Sequence, residues 1–194
     1  FLPNIFNTKF NKTVVILYKT YPFFNPKWRW WSHTNNWEID QIVKIFNKKK
    51  YNVYLIDRSF KDFEKLSVCL NPDIFIGLNG CASGRNFFPL MNHLKPNFKI
   101  MITTIEHPAI QRKKYLECYS LFESKTGLNL KSKRLIPKNE IEQYMESINK
   151  VDAFFSIASS YTLNEYLSTD KPLYKWTPAV YNKLNFLERD FSQK

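Results

Sequence analysis

A chain of 194 residues is long enough for one domain with a sizeable buried core. Its apolar share of 44% and aromatic share of 17% exclude a disordered polypeptide, and no run of roughly eighteen apolar residues is present to span a bilayer. Twenty-nine Lys and Arg against 17 Asp and Glu, a net charge of +12, favour anionic partners such as nucleic acid, phosphorylated sugars or an acidic membrane face.

In chain order, short and almost continuously apolar runs mark buried strands at 13–18 (TVVILY), 53–56 (VYLI), 73–78 (DIFIGL), 98–104 (FKIMITT) and 152–158 (DAFFSIA), with a weaker one at 172–176. Continuous rather than alternating hydrophobicity is the mark of strands covered on both faces. Helical patterns fall between them. At 36–49 the residues Trp37, Ile39, Ile42, Val43, Ile45 and Phe46 form one apolar stripe. A longer helix at 111–126 ends at Gly127, a good C-terminal cap, and further helices are expected at 140–149 and 162–167. Alternation of strand and helix predicts a doubly wound, mostly parallel α/β sheet in a single domain. Its expected bounds are 13–184, with an N-terminal extension at 1–12 and an outgoing linker at 185–194.

Three cysteines, Cys69, Cys81 and Cys118, are odd in number and lack CxxC spacing. They argue against a disulfide framework and a zinc site, and suit a reducing cytosol. The first residues do not read as a signal peptide, and the absence of an initiator Met suggests a piece of a longer protein.

Ligands of open parallel sheets sit beyond the carboxyl ends of the strands, so the residues following each strand are the candidates. After the first strand, His33 and the helix start Thr34, Asn36 and Glu38 could bind sugar hydroxyls, with the tryptophans 28, 30 and 31 offering stacking faces. Capping by Thr34, Asn35 or Asn36 is the plainer account. Following the third strand, Asn79 and Gly80 open a tight turn, although neither a dinucleotide nor a Walker fingerprint is present. Beyond the fourth come Thr104, Glu106, His107 and, in a basic helix start, Arg112. A Glu-His pair at a strand end suits acid–base chemistry, and Pro108 turns His107 out of helical geometry toward the crevice. Ser159 follows the fifth strand, as a cap or a ligand contact. His93 reads as structural.

The stretch 32–38 (SHTNNWE) with its helix and the strand after it resembles the opening of bacterial glycosyltransferases of the two-Rossmann (GT-B) type, in particular family-4-like members of polysaccharide pathways. Residues 106–130 are similar to a segment of that group in which a His precedes a "QNR…E…R.G" helix, with Gln111, Arg112, Glu117 and Gly127 in the matching places and Lys113 breaking the pattern. Residues 151–163 resemble "aDaii…GN.fTl", with Ala158-Ser159-Ser160 in place of Gly-Asn.

This resemblance implies the Rossmann-like, acceptor-side half of a hexosyltransferase-like enzyme building a surface polysaccharide. His107, Glu106 and His33 would be the catalytic candidates, and Thr34, Asn36, Glu38, Asn79, Gly80, Thr104, Arg112 and Ser159 would contact substrate. It further implies a sugar or glycolipid acceptor, and a metal-independent sugar-nucleotide donor held mainly by a second, C-terminal domain, so that this chain alone would be inactive. The expected location is cytoplasmic, with peripheral contact to the inner face of the cell membrane, and no nucleic acid is expected. The alternative is a non-catalytic basic α/β module for nucleic acid or another anionic partner. Against it stand the dispersal of the lysines and the lack of a nucleic-acid motif. A response-regulator-like domain is disfavoured by Tyr18-Lys19-Thr20, where an acidic cluster would be needed.

Overall fold

The structure, a computed structural model, describes residues 1–24, 34–78, 86–103, 107–130, 135–156 and 169–175. Six strands, β1 (Lys12–Tyr18), β2 (Tyr51–Asp57), β3 (Ile74–Leu78), β4 (Phe98–Thr103), β5 (Ala153–Ser156) and β6 (Leu173–Lys175), form one sheet in the order β2-β1-β3-β4-β5-β6. Every adjacent pair is parallel. The expected Rossmann-like α/β fold is thus present, with all six expected strands in place to within a few residues.

Two apolar layers sandwich this sheet. On one face Val14, Ile16, Val53, Leu55 and Ile76 meet Ile39, Ile42 and Val43 of α2 (Thr34–Lys48). The other face brings Val15, Leu17, Phe75, Met101 and Phe154 against Phe87, Leu90 and Leu94 of α3 (Phe87–Leu94) and Tyr144 and Ile148 of α5 (Lys138–Lys150). Neighbouring strand residues, Val14 and Val15 for example, face opposite layers, as the two-residue period of a strand dictates. Both layers are apolar, which is why the runs look continuous in the sequence.

Some local structure escapes a pattern-based reading. The helix α3 buries Phe87, Leu90, Met91 and Leu94, a stripe only two turns long, and Pro89 sits in its first turn, where no N–H is needed. A short helix α1 (Tyr21–Phe24) and a 3-10 helix at Phe63–Cys69 are likewise unforeseen. The long helix α4 (Pro108–Thr126) begins three residues earlier than the periodicity suggests, because Pro108 occupies its first position. Gly127 ends it with φ of 71°, its N–H bonded to Glu123 O at 2.8 Å. The helix expected at 162–167 and the linker at 185–194 lie outside the described residues.

The N-terminal extension has a definite task. Leu2 exchanges backbone hydrogen bonds of 2.8 and 3.0 Å with Leu55, and Ile5 N donates to Val53 O at 2.9 Å. Phe1 stacks on Tyr54 with ring centroids 6.3 Å apart. The outer edge of β2 is therefore covered, which removes a template for unwanted strand pairing.

Candidate functional site

Strand order locates the crevice. From β1 the chain moves outward to β2, then returns to the far side of β1 for β3 and continues to β6. The reversal falls between β1 and β3, and ligands of such sheets bind at the carboxyl ends flanking that point. Three groups meet beside that point, at the carboxyl ends of β1 and its other neighbour β2.

Tyr18, the last residue of β1, is fully buried, and its hydroxyl donates to Glu38 Oε2 at 3.0 Å; Glu38 is itself 1% exposed. Burial, and then the Glu38 carboxylate, push the phenol far above its usual pKa. It remains a neutral donor and cannot serve as a base.

Asp57 ends β2 beside it. Its Oδ2 accepts from Thr20 N at 3.2 Å and Thr20 Oγ1 at 3.0 Å, and its Oδ1 from Ser59 N at 2.9 Å and Ser59 Oγ at 2.5 Å. Partial burial pushes this carboxyl upward, but the hydrogen bonds from Ser59 and Thr20 outweigh it and hold the group below its ordinary 3.8. The carboxylate fastens the loops after β1 and β2 together, and Arg58 N donates to Tyr18 O at 3.1 Å in the same seam.

Lys19 completes the group. Its ammonium is depressed by burial, then by the Arg58 guanidinium, against the opposing pull of Glu38. Arg58 itself is exposed. Two cations at a carboxyl edge can take up a phosphate or carboxylate, with the exposed Ser59 alongside, while Thr20, 6% exposed, serves Asp57.

The expected site residues are distributed differently. Asn36 is 4% exposed and Glu38 1%, so both belong to the interior beneath the crevice, and Glu38 serves Tyr18. Thr34 opens α2, its side chain outside the described residues. His33, Asn79, Gly80, Thr104, Glu106 and Ser159 also lie outside them. His107 has the non-helical backbone that Pro108 imposes (φ −51°, ψ 129°), yet its side chain turns inward. Its Nδ1 accepts from Ala109 N at 3.2 Å, capping α4, and the ring stands edge-on to buried Tyr144 at 5.3 Å. At 9% exposure, His107 corrects the expectation of a solvent-facing imidazole. The strand β4 that leads to it does not border the reversal, since β3 runs between β4 and β1.

Arg112, a half-buried member of α4, donates to Ile136 O. It ties the approach to α5 onto α4 rather than lining the crevice. Cys118 is a free, exposed thiol; the side chains of Cys69 and Cys81 are outside the described residues. No group of three or more His, Cys, Asp or Glu among the described residues is placed to hold a metal, and none of their helices is long and apolar enough to cross a membrane.

One pair of residues went unmarked in the sequence. Thr103 and Ser156 are register partners at the carboxyl ends of β4 and β5, 1% and 0% exposed. Neither Thr103 Oγ1 nor Ser156 Oγ has a hydrogen-bond partner among the described residues. A buried hydroxyl without a partner costs about 1–3 kcal/mol, whereas removing it with shape retained is close to neutral. Thr103→Val and Ser156→Ala are therefore expected to leave unfolding stability unchanged or raised by up to about 1 kcal/mol in urea titrations. A loss larger than that would show that these hydroxyls are bonded in solution. Only register could have revealed the pair: the two residues are far apart in sequence and ordinary in type.

Comparison with protein-family models, with curated proteins and with solved structures gives no match. The fold and edge geometry define an α/β domain with a six-stranded parallel sheet and a polar, cationic carboxyl edge.

Proposed function

We propose that the chain forms the acceptor-side domain of a sugar-nucleotide-dependent glycosyltransferase building a bacterial surface polysaccharide, with its ligand at the carboxyl edge beside β1 and β3. The observation that supports this reading is the gathering of Lys19, Arg58 and Ser59 at the carboxyl ends of β1 and β2, next to the strand-order reversal. Cations and a hydroxyl side by side suit a substrate that is both phosphorylated and rich in hydroxyls. Such a domain would position its acceptor, and positioning supplies much of the rate in a transfer reaction. A second domain would hold the donor.

The test is binding. ¹⁵N-labelled chain titrated with an oligosaccharide phosphate and with sugar nucleotides should show amide shifts at Thr20, Arg58 and Ser59. Arg58→Ala with Lys19→Met should weaken binding at least tenfold, about 1.4 kcal/mol. Absence of shifts at this edge, or undiminished binding by the double variant, would remove the reading.

A further inference from the structure

The amino edge of the sheet, opposite the proposed crevice, has a chemistry of its own. A groove of about 370 Å³ is lined by Lys9, Phe10, Asn11, Lys12, Lys49 and Lys50, with no carboxylate among them. Lys12 Nζ is held 5.7 Å over the Tyr51 ring. A second hollow of about 380 Å³ includes Lys95, Pro96 and Lys99. Both belong to one edge, because α2 and α3 end where β2 and β4 begin, and Lys12 at the start of β1 is the register partner of Tyr51. Thr13 N donating to Asp73 Oδ2 at 2.7 Å, and Asn71 N to Leu94 O at 2.7 Å, make that edge continuous. With strands about 4.8 Å apart, the starts of β1 and β4 are separated by about 10 Å.

Several lysines here have structural employment. Lys171 donates to Ile148 O and Asn149 O at the end of α5, Lys150 pairs with Glu146, and Lys99 pairs with Asp152. Lys48 in the last turn of α2 complements the helix dipole. Lys9, Lys12, Lys49, Lys50 and Lys95 form no ion pair with a described residue, and all are exposed. Phe98 opens β4 after Lys95, and Leu70 precedes Asn71, which is bonded to Leu94 O; both are open to solvent, at 43% and 44% exposure, as is Val68 two residues before Leu70, at 60%.

We propose that this amino edge is a membrane-docking face, its lysines on the phosphates of an anionic phospholipid bilayer and Phe98, Leu70 and Val68 entering the headgroup boundary. Juxtaposed basic and apolar groups are what interfacial binding requires. A nucleic acid backbone would use the charges but leave the aliphatic groups without a role. The cations lining both hollows are all lysines; the planar, bidentate guanidinium typical of nucleic-acid readout is missing from them. With this edge on the bilayer the carboxyl crevice opens to the aqueous side, so the proposal stands independently of glycosyl transfer.

The test is co-sedimentation of the full chain with vesicles of phosphatidylcholine alone or mixed equally with phosphatidylglycerol. Binding to the anionic vesicles alone, weakened by added salt, is expected. A lysine close to such a surface contributes roughly fivefold. Replacing Lys9, Lys12, Lys49 and Lys50 together by Gln should therefore weaken partitioning at least tenfold, and Phe98→Ser should weaken it at unchanged salt dependence. Circular dichroism melts establish that each variant folds; should the quadruple variant not, Lys12→Gln with Lys95→Gln takes its place. Equal binding to neutral vesicles, undiminished binding by the lysine variant, or binding of duplex DNA in preference to vesicles at the same salt would overturn the proposal.

Discussion

Phe87→Ala is expected to lower unfolding stability by about 3–5 kcal/mol. Phe87 opens α3 and is fully buried, with its ring centroid 5.1 Å from that of Phe75 in β3. Between these rings and β1 lies Gly77, directly opposite Leu17. A Cβ at Gly77 would fall 2.8 Å from Leu17 Cβ and 3.1 Å from Phe87 Cδ2. Glycine is thus required there by close approach, and the helix seats its first aromatic ring where β3 presents no side chain. Truncating Phe87 removes the occupant of a rigid, closed space, so little collapse can offset the loss. Against a typical total of about 5–15 kcal/mol, the variant should show a much lower urea midpoint. A loss below about 1.5 kcal/mol would mean that α3 re-seats against the sheet.

Tyr18→Phe is expected to destabilise by about 1.5–3 kcal/mol while leaving shape almost unchanged. The hydroxyl donates to Glu38 Oε2 at 3.0 Å, and Glu38 is 1% exposed. Deleting the donor leaves a buried carboxylate without that bond, the more expensive half of a hydrogen bond to lose. The second substitution Glu38→Gln in the same background should return part of the loss, because a neutral amide is cheaper to bury. A double-mutant cycle in urea measures this coupling. Additive effects of the two substitutions would show that the Tyr18–Glu38 contact is energetically unimportant. The same pair anchors α2 to the end of β1, so loosening it should also disturb the crevice that Thr20 and Asp57 border.

Sheet and helices were legible in the amino-acid order wherever burial imposes a period. The runs at 13–18, 53–56 and 98–104 are apolar throughout because both faces are covered, and α2 shows a stripe because one face meets water. Gly127 marked the end of α4 for a local reason, the positive φ of 71°. The eight-residue α3 was hidden by its shortness, since its stripe of Phe87, Leu90, Met91 and Leu94 spans only two turns and Phe88 and Pro89 beside it blur the period.

Site residues were legible only as positions along the chain. The prolyl restriction on His107 was read correctly, because it acts between neighbours, and β4 does end just before it. Whether the imidazole faced solvent depended on Tyr144, which the chain supplies from α5 far downstream. Likewise Glu38, a polar residue near a strand end, is buried because Tyr18 reaches across from β1 to bond it. Asp57, Thr20 and Arg58 gain their setting from β1 and β2 lying side by side.

The sequence by itself determined the alternation of strand and helix, the two-sided cover of the sheet and the excess of positive charge, since these depend on local period and composition. Tertiary structure alone decided the strand order and its reversal at β1 and β3. It also decided the inward turn of His107, the unpartnered pair Thr103 and Ser156, and the gathering of dispersed lysines along one edge. The physical reason is that side chains from distant segments share a face only once strand register and helix packing have set their distances.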